Sequence, residues 1–440
     1  MSGASRHGLG APNSFAAGVD RMPILPTELT LGETREWEIP FPPDEYRERF
    51  QRVRSEMERC GVETLYVTSP ANLTYLTGYD SRWYRRSTPT GLAINLTDEI
   101  AIFFDDISHR GLVSAGTGVI EHAAFFSRFR DTVREGWVYR NTADDVVDTL
   151  AARGWLRGTA AVEHWALAPG GISLRYIEDC MREKGARTPC DGSWIVDRVK
   201  LVKSPLEIKL IEEAAVIADA AIEAVVRDFK PGMTEIEVQG IAHYAMSRLG
   251  GEEPAIRSST TSGPKTLAHH PLPTRRKIMH GDIFIMDLCG SVHRYHGNIA
   301  RTFSVGEPDK RWADLVALSA MSIHRVVDAL RPGDAGERIV EIARDYLGSV
   351  GLAKYGWFIG GYDLGIAVPP DWVGHTYLSG HCFERADMKV GMVVNYENVL
   401  DVPDGWPGAY GVQYVDTLVM TGRGFRILSK LDRNIFVLNA

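Results

Sequence analysis

MDLCGSVHRYHGNIART, residues 286–302, decides how this chain is read. Asp287 closes an apolar run, IFIM, that has the length and composition of a buried strand. Eleven residues later a second acidic side chain would complete the spacing of a metal-binding hairpin, and Asn298 stands there instead. Either the site uses an unusual ligand or the metal has been given up.

The apolar stretches around this hairpin predict a sheet. They are DIFIMDLCG (282–290), IARTFSV (299–305), MVVNYENVL (392–400) and VQYVDTLVMT (412–421). Two long amphipathic helix pairs flank them, and each pair breaks at a Pro-Gly stop, KPGMTEIEV (230–238) and RPGDAGERIV (331–340). Two such units predict an internal duplication. Ser204, Pro205 and Glu207 supply a helix start with a capping box. Upstream, VETLYVTS (62–69), GLAINL (91–96), EIAIFFDD (99–106) and AAVEHW (160–165) alternate with helical segments, which predicts an α/β domain. The expected organisation is an N-terminal arm over 1–40, an α/β domain over 41–195, and an α+β domain over 196–440 whose antiparallel sheet is covered by two helix pairs. The arm, rich in Gly, Pro, Ser and Thr, is expected to extend onto a neighbour.

A net charge of −8 and a pI near 5.9 argue against nucleic acid as a partner. No apolar run reaches the ~18–20 residues of a membrane span, and the first twenty residues lack the apolar core of a signal peptide. Five scattered cysteines suit reduced thiols and a cytoplasmic setting.

Six stretches in order resemble the pita-bread family of Xaa-Pro aminopeptidase, prolidase, methionine aminopeptidase, creatinase and ectoine hydrolase. They are RVKLVKSPLEI (198–208), SGPKTLAHHPLPTRRKIMHGD (262–282), MDLCGSVHRYHGNIARTF (286–303), GGYDLGIAVPPDW (360–372), GMVVNYENVL (391–400) and GVQYVDTLVM (411–420). The resemblance spans roughly residues 41–430. It implies the two-domain fold, and for the peptidases two metal ions held by two Asp, one His and two Glu. On this chain those positions fall on Asp287, Asn298, Tyr362, Glu397 and Val415. Two ligands of five remain, too few to balance two divalent cations. Asp363 and Asp416 each lie one position off, which in a strand means the opposite face.

The resemblance therefore points to the metal-free branch, creatinase and ectoine hydrolase. It implies no cofactor and a catalytic histidine at His270, with its neighbour His269 as the alternative. Glu397 matches a glutamate that binds substrate nitrogen in creatinase, whereas creatinase's other substrate glutamate falls near Ala300. The run GYDLGIAVPPDW is closer to ectoine hydrolase, and Pro369 takes the place of the peptidases' second catalytic histidine. The expected reaction is hydrolysis of a C–N bond in a small nitrogen-rich substrate, an amidine, guanidine, cyclic amidine or amide. His270 would act as general base and acid, Glu397 would hold the cationic group, and Asp287 would be a second anchor. Asn298 and Tyr362, freed from metal, would line the same pocket. Trp83, Tyr84 and Arg86 match creatinase elements that reach into a partner's site, which implies a homodimer. A metal-dependent Xaa-Pro peptidase, a lyase and an inactive binding module are the alternatives. The histidines near 280–296 fit no closed zinc set, and Cys289 is expected to be a buried small residue.

Overall fold

A computed structural model describes residues 27–30, 39–84, 88–126, 142–166, 170–369, 371–372 and 386–438. The N-terminal half is a seven-stranded mixed sheet. Its strands are β1 (Thr27–Thr30), β2 (Thr64–Val67), β3 (Gly91–Asn95), β4 (Ala101–Asp106), β5 (His122–Phe126), β6 (Thr159–Val162) and β7 (Arg187–Asp191), in the order β1-β5-β4-β3-β2-β6-β7. Both faces of its central strands β2 to β6 are largely buried, as their apolar sequences require. Leu65 and Val67 point into one apolar cluster, shared with Val53 and Met57 of α1 (Pro43–Cys60), while Tyr66 points into the other, shared with Val146 and Leu150 of α4 (Ala143–Ala152). The helices α2 (Pro70–Thr77), α3 (Arg110–Gly116), α5 (Gly171–Glu183) and α6 (Ser193–Lys200) complete this half. Within the arm, Thr27–Thr30 pairs antiparallel with β5 of its own chain as an edge strand, and residues 1–26 and 31–38 lie outside the described residues.

The second half is an eight-stranded sheet covered on one face by two helix pairs. The pairs are α7 (Pro205–Asp228) with α8 (Glu235–Arg248), and α9 (Lys310–Ala329) with α10 (Arg338–Ser349). Both helices of the first pair start at complete capping boxes, Ser204 with Glu207 and Thr234 with Glu237. The strands β8 (Ser259–Ser262), β9 (Ile283–Val292), β10 (Tyr295–Val305), β11 (Gly356–Asp363), β12 (Val393–Trp406) and β13 (Ala409–Thr421) run in the order β11-β12-β13-β10-β9-β8. Two short strands, β14 (Gly424–Ile427) and β15 (Phe436–Leu438), pair with β13 and β10. Helix α7 lies so close to the β9–β10 hairpin that Gly290 and Gly297, paired across it, have no room for a side chain: a Cβ on Gly290 would sit 1.9 Å from the carbonyl oxygen of Ala214.

The duplication expected from the Pro-Gly stops recurs in the backbone. Gly232 and Gly333 both adopt left-handed φ, 90° and 95°. Their N–H groups donate to Ile278 and Met388, the residues leading into β9 and β12. Gly281 and Gly391 repeat the pattern with φ of 86° and 92° just before those strands.

β10 starts earlier than the sequence predicted. The β9–β10 turn is His293-Arg294, with φ of 47° and 65°, a conformation usually left to Gly or Asn. Glu252 holds it by accepting from both backbone N–H groups, at 3.0 and 3.1 Å.

Candidate active site

Cross-strand pairing sets one row of side chains on the sheet face away from the helices. It runs Ser259, Asp287, Ala300, Val415, Glu397 and Gly360 across β8, β9, β10, β13, β12 and β11. Alternation adds Asn298, Gln413 and Tyr362, each two residues from a member of that row. Asp287 and Glu397 occupy equivalent places in the two hairpins, six residues beyond Gly281 and Gly391. Each faces an apolar partner, Ala300 or Val415, and an amide stands two residues before that partner, Asn298 or Gln413.

Gln413 was not singled out in the sequence, yet it ties the site together. Its Nε2 donates to Asp287 Oδ2 at 2.8 Å and to Glu397 Oε1 at 2.9 Å. Tyr362 Oη donates to the other oxygen, Glu397 Oε2, at 3.0 Å. Asn298 Oδ1 accepts from the Cys289 thiol at 3.3 Å. Burial, against which these hydrogen bonds work only in part, pushes Asp287 up to about 6. Burial, with the neighbouring charge of Asp287 adding to it, pushes Glu397 up to about 8. Burial and their mutual repulsion therefore keep the two carboxyls from ionising together as readily as free ones. Cys289 is buried, and burial beside the two carboxylates raises its thiol well above the ordinary range, so it is a neutral lining group.

This donor set does not suit two metal ions. Among the described residues the row carries two carboxylates, Asp287 and Glu397, and an amide N–H, a donor, points at both of them from between. Among the described residues no cluster of three or more His, Cys, Asp or Glu side chains is placed to hold a metal. The two displaced acids are engaged elsewhere, as strand alternation requires. Asp416 pairs with Arg301 at 3.0 Å and Arg433 at 3.2 Å, and Asp363 pairs with Lys203.

The histidines stand at the rim. Asp401 lies four residues past Glu397 on β12 and so on the same face. His269 Nε2 lies 3.2 Å from Asp401 Oδ2, and its ring stacks on Trp357 at 3.7 Å between centroids. Trp357 is the bulged residue where β11 slips against β12, which re-aims its side chain. His270 is exposed, adopts φ 56° and meets Trp357 only edge-on at 6.0 Å. Pro271 O then accepts from Ser259 Oγ at 2.9 Å, beside Asp287. The segment 269–271 thus connects the two ends of the carboxylate row. Sequence reading placed the histidines but missed Asp401, whose link to His269 spans more than a hundred residues.

Tyr84 packs against the N-terminal core, edge-on to Tyr79 at 6.3 Å. Trp83 is 39% exposed on that domain, and Arg86 lies outside the described residues. His296 is a buried hydrogen-bonding residue. Burial lowers it to about 4, and Nε2 accepts from Ala255 N at 3.0 Å. A cleft of about 850 Å3 between the domains is lined by Trp194, Lys203, Asp363 and Trp372. It does not include Asp287 or Glu397, and we place the site at the carboxylates because that is where the convergent polar groups stand.

Residues 49–195 match the creatinase/prolidase N-terminal domain, and residues 209–422 match metallopeptidase family M24. Xaa-Pro dipeptidase of Pyrococcus furiosus is 23% identical, over 88% of this chain and 99% of its own. Ectoine hydrolase of Halomonas elongata is 24% identical, over 91% of this chain and 98% of its own. Among solved structures, the prolidase of Thermococcus sibiricus superposes with a TM-score of 0.75 at 20% identity, covering 89% of this chain and 99% of that one. The X-Pro aminopeptidase of Thermotoga maritima gives 0.72 at 18% identity, covering 88% and 99%. These likenesses carry the two-domain pita-bread fold.

Proposed function

We propose that this chain, whose residues 209–422 match metallopeptidase family M24 behind a creatinase/prolidase N-terminal domain, hydrolyses a C–N bond in a small cationic, nitrogen-rich substrate without a metal ion. The observation that carries this reading is the Gln413 amide bridging Asp287 and Glu397. An –NH2 group donating to two carboxylates is the neutral counterpart of what an amidinium or guanidinium presents. A substrate with its own positive charge has an electrophilic carbon and needs less Lewis-acid help. In this mechanism Asp287 and Glu397 hold the cationic nitrogens. A rim histidine takes a proton from water as the oxygen bonds to the carbon, then returns it to the departing nitrogen as the C–N bond breaks. Tyr362 and Gln413 orient the carboxylates through their hydrogen bonds, and Asn298 lines the pocket beside them.

The similarity to ectoine hydrolase supports hydrolysis of a non-peptide C–N bond. The similarity to Xaa-Pro dipeptidase makes X-Pro cleavage the competing outcome. We extend the proposal to a homodimer in which Trp83 of one subunit stands at the other's site.

The test is metal analysis of the purified protein together with a chelator-treated assay over amidines, guanidines, lactams and X-Pro dipeptides. The expected result is chelator-resistant turnover of a cationic substrate. Two bound metals per chain with chelator-sensitive X-Pro cleavage would overturn the reading. Binding of panel members by calorimetry without turnover would instead assign an inactive binding module.

A further inference from the structure

We propose that the junction of the two domains is a second binding site, for a small organic cation that carries N–H groups, an alkylammonium or guanidinium. The cavity there, about 330 Å3, is lined by Trp165 and Trp194 from the N-terminal domain and by Asp371 and Trp372 from the segment after β11. Asp287 and Glu397 are not among its lining residues, and the proposal does not rest on the hydrolytic reading.

The walls are fixed from behind. Glu163, just past β6, is buried and accepts from Thr68 N, Ser69 N and Asn72 Nδ2, each at 2.6 Å. This clamps the first turn of α2 to β6 and orients the Asn72 amide. Nδ2 is engaged by Glu163, while Oδ1 is a buried acceptor with no hydrogen-bond partner among the described residues, on a side chain that lines the cavity. Trp194, Asp197 and Lys200 follow three residues apart on α6 and line it together. Lys200 is engaged by Asp197 at 2.8 Å. On the other side the chain is tied to the start of β10. Gly365 O accepts from His296 N, and Ala367 N donates to Arg294 O, both at 3.0 Å. Trp372 meets His296 edge-on at 5.2 Å.

Two acceptors are left for an occupant. One is Asn72 Oδ1. The other is the Asp371 carboxylate, to which no hydrogen bond or ion pair runs among the described residues, and which burial raises against the pull of Lys200. An N–H-bearing cation donates to the first and sets its charge beside the second. Tryptophan rings favour the same charge, and Trp165 and Trp194 stand 5.7 Å apart at 48°. A neutral apolar occupant would leave both acceptors unpaired. An anion would meet an acidic wall: even with Glu163, which burial raises to about 7, counted as neutral, Asp197 and Asp371 outnumber Lys200.

The experiment is calorimetry of the full chain with methylguanidinium chloride, against sodium chloride at matched ionic strength. It is run on the wild type and on Asp287→Asn/Glu397→Gln, which removes the charge of the carboxylate row. The expected result is one saturable site that persists in the double variant. In that background Asp371→Asn is expected to weaken binding by about 5-fold or more and Trp165→Ala by about 3-fold or more. Trp165 is 67% exposed, so its truncation spares the core. Tetramethylammonium, equally charged but without N–H, is expected to bind about 5-fold more weakly or worse. Binding that disappears in the double variant belongs to the row, overturns the second site and leaves the hydrolytic reading standing. Affinity unchanged in both Asp371→Asn and Trp165→Ala also overturns it, and tetramethylammonium binding as tightly as methylguanidinium overturns the N–H requirement. Binding that persists in a protein that turns over no panel substrate supports the site and fails the hydrolytic reading alone.

Discussion

Asp287 and Glu397 accept hydrogen bonds from one nitrogen, Nε2 of Gln413, at 2.8 and 2.9 Å. Two recessed acids sharing one amide cannot both be ionised cheaply, because each charge and the lost hydration oppose the other. Both are raised above their ordinary values, to about 6 and about 8. Their contribution to stability is therefore fully present at acidic pH, below the unfolded values. It is lost as pH rises through about 6 and then about 8. Glu397→Gln removes the later step. We expect the melting temperature of the wild type to fall between pH 5 and 9 more steeply than that of Glu397→Gln. Parallel curves would mean that Glu397 titrates normally.

The same shifts give a sign for binding. A cation placed between the carboxylates favours their ionised forms, so binding releases protons near neutrality. Calorimetry of a bound amidine or guanidine in buffers of different ionisation enthalpy should show proton release that vanishes toward pH 9. Proton uptake would contradict it.

Tyr362 donates to Glu397 and so favours its ionised form. Tyr362→Phe is expected to raise the Glu397 value further. The protonated-carboxyl band in the infrared spectrum should then persist to higher pH, with turnover at pH 7 reduced by about 10-fold. A band with unchanged pH dependence would separate Tyr362 from the pair.

Restoring ligand chemistry tests the metal-free assignment from the other direction. Asn298→Asp with Val415→Glu puts two further carboxylates at positions on the row face. Manganese or cobalt should bind to this double variant by calorimetry and bind the wild type at least ~10-fold more weakly, since hard cations need carboxylate oxygen. Equal affinity of the two proteins would sink the assignment.

Gly290→Ala tests how the helix layer fixes the site. A methyl group there meets the Ala214 carbonyl at 1.9 Å, so α7 must move away from β9. The expected cost is ~1–3 kcal/mol, measured by denaturant unfolding, and an unchanged midpoint would show that α7 yields freely.

The residues that were legible in the sequence are those whose signals are local. The capping boxes, the Pro-Gly stops and the apolar strands around Asp287 and Glu397 each announce themselves within a few residues. β8 and β11 did not, because STTS is polar and GWFIGGYD mixes bulky aromatics with glycine, so neither shows clean alternation. The β9–β10 turn hid because His293 and Arg294 take left-handed φ only with the help of Glu252, forty-one residues away. Gln413 and Asp401 were missed for a related reason. An amide in a strand carries no chemical flag, and an aspartate near a strand end looks structural, until register shows what each one faces.

The repeated hairpins give the row a further property. A pocket with a carboxylate, a small apolar residue and an amide on each side is nearly the same when turned end for end. A planar cation could enter it in two orientations of similar energy, and only one would present its carbon to a base. What breaks the tie stands on the Glu397 side alone, where Tyr362, Trp357, His269 and Asp401 gather. Handedness, in this site, belongs to the rim rather than to the floor.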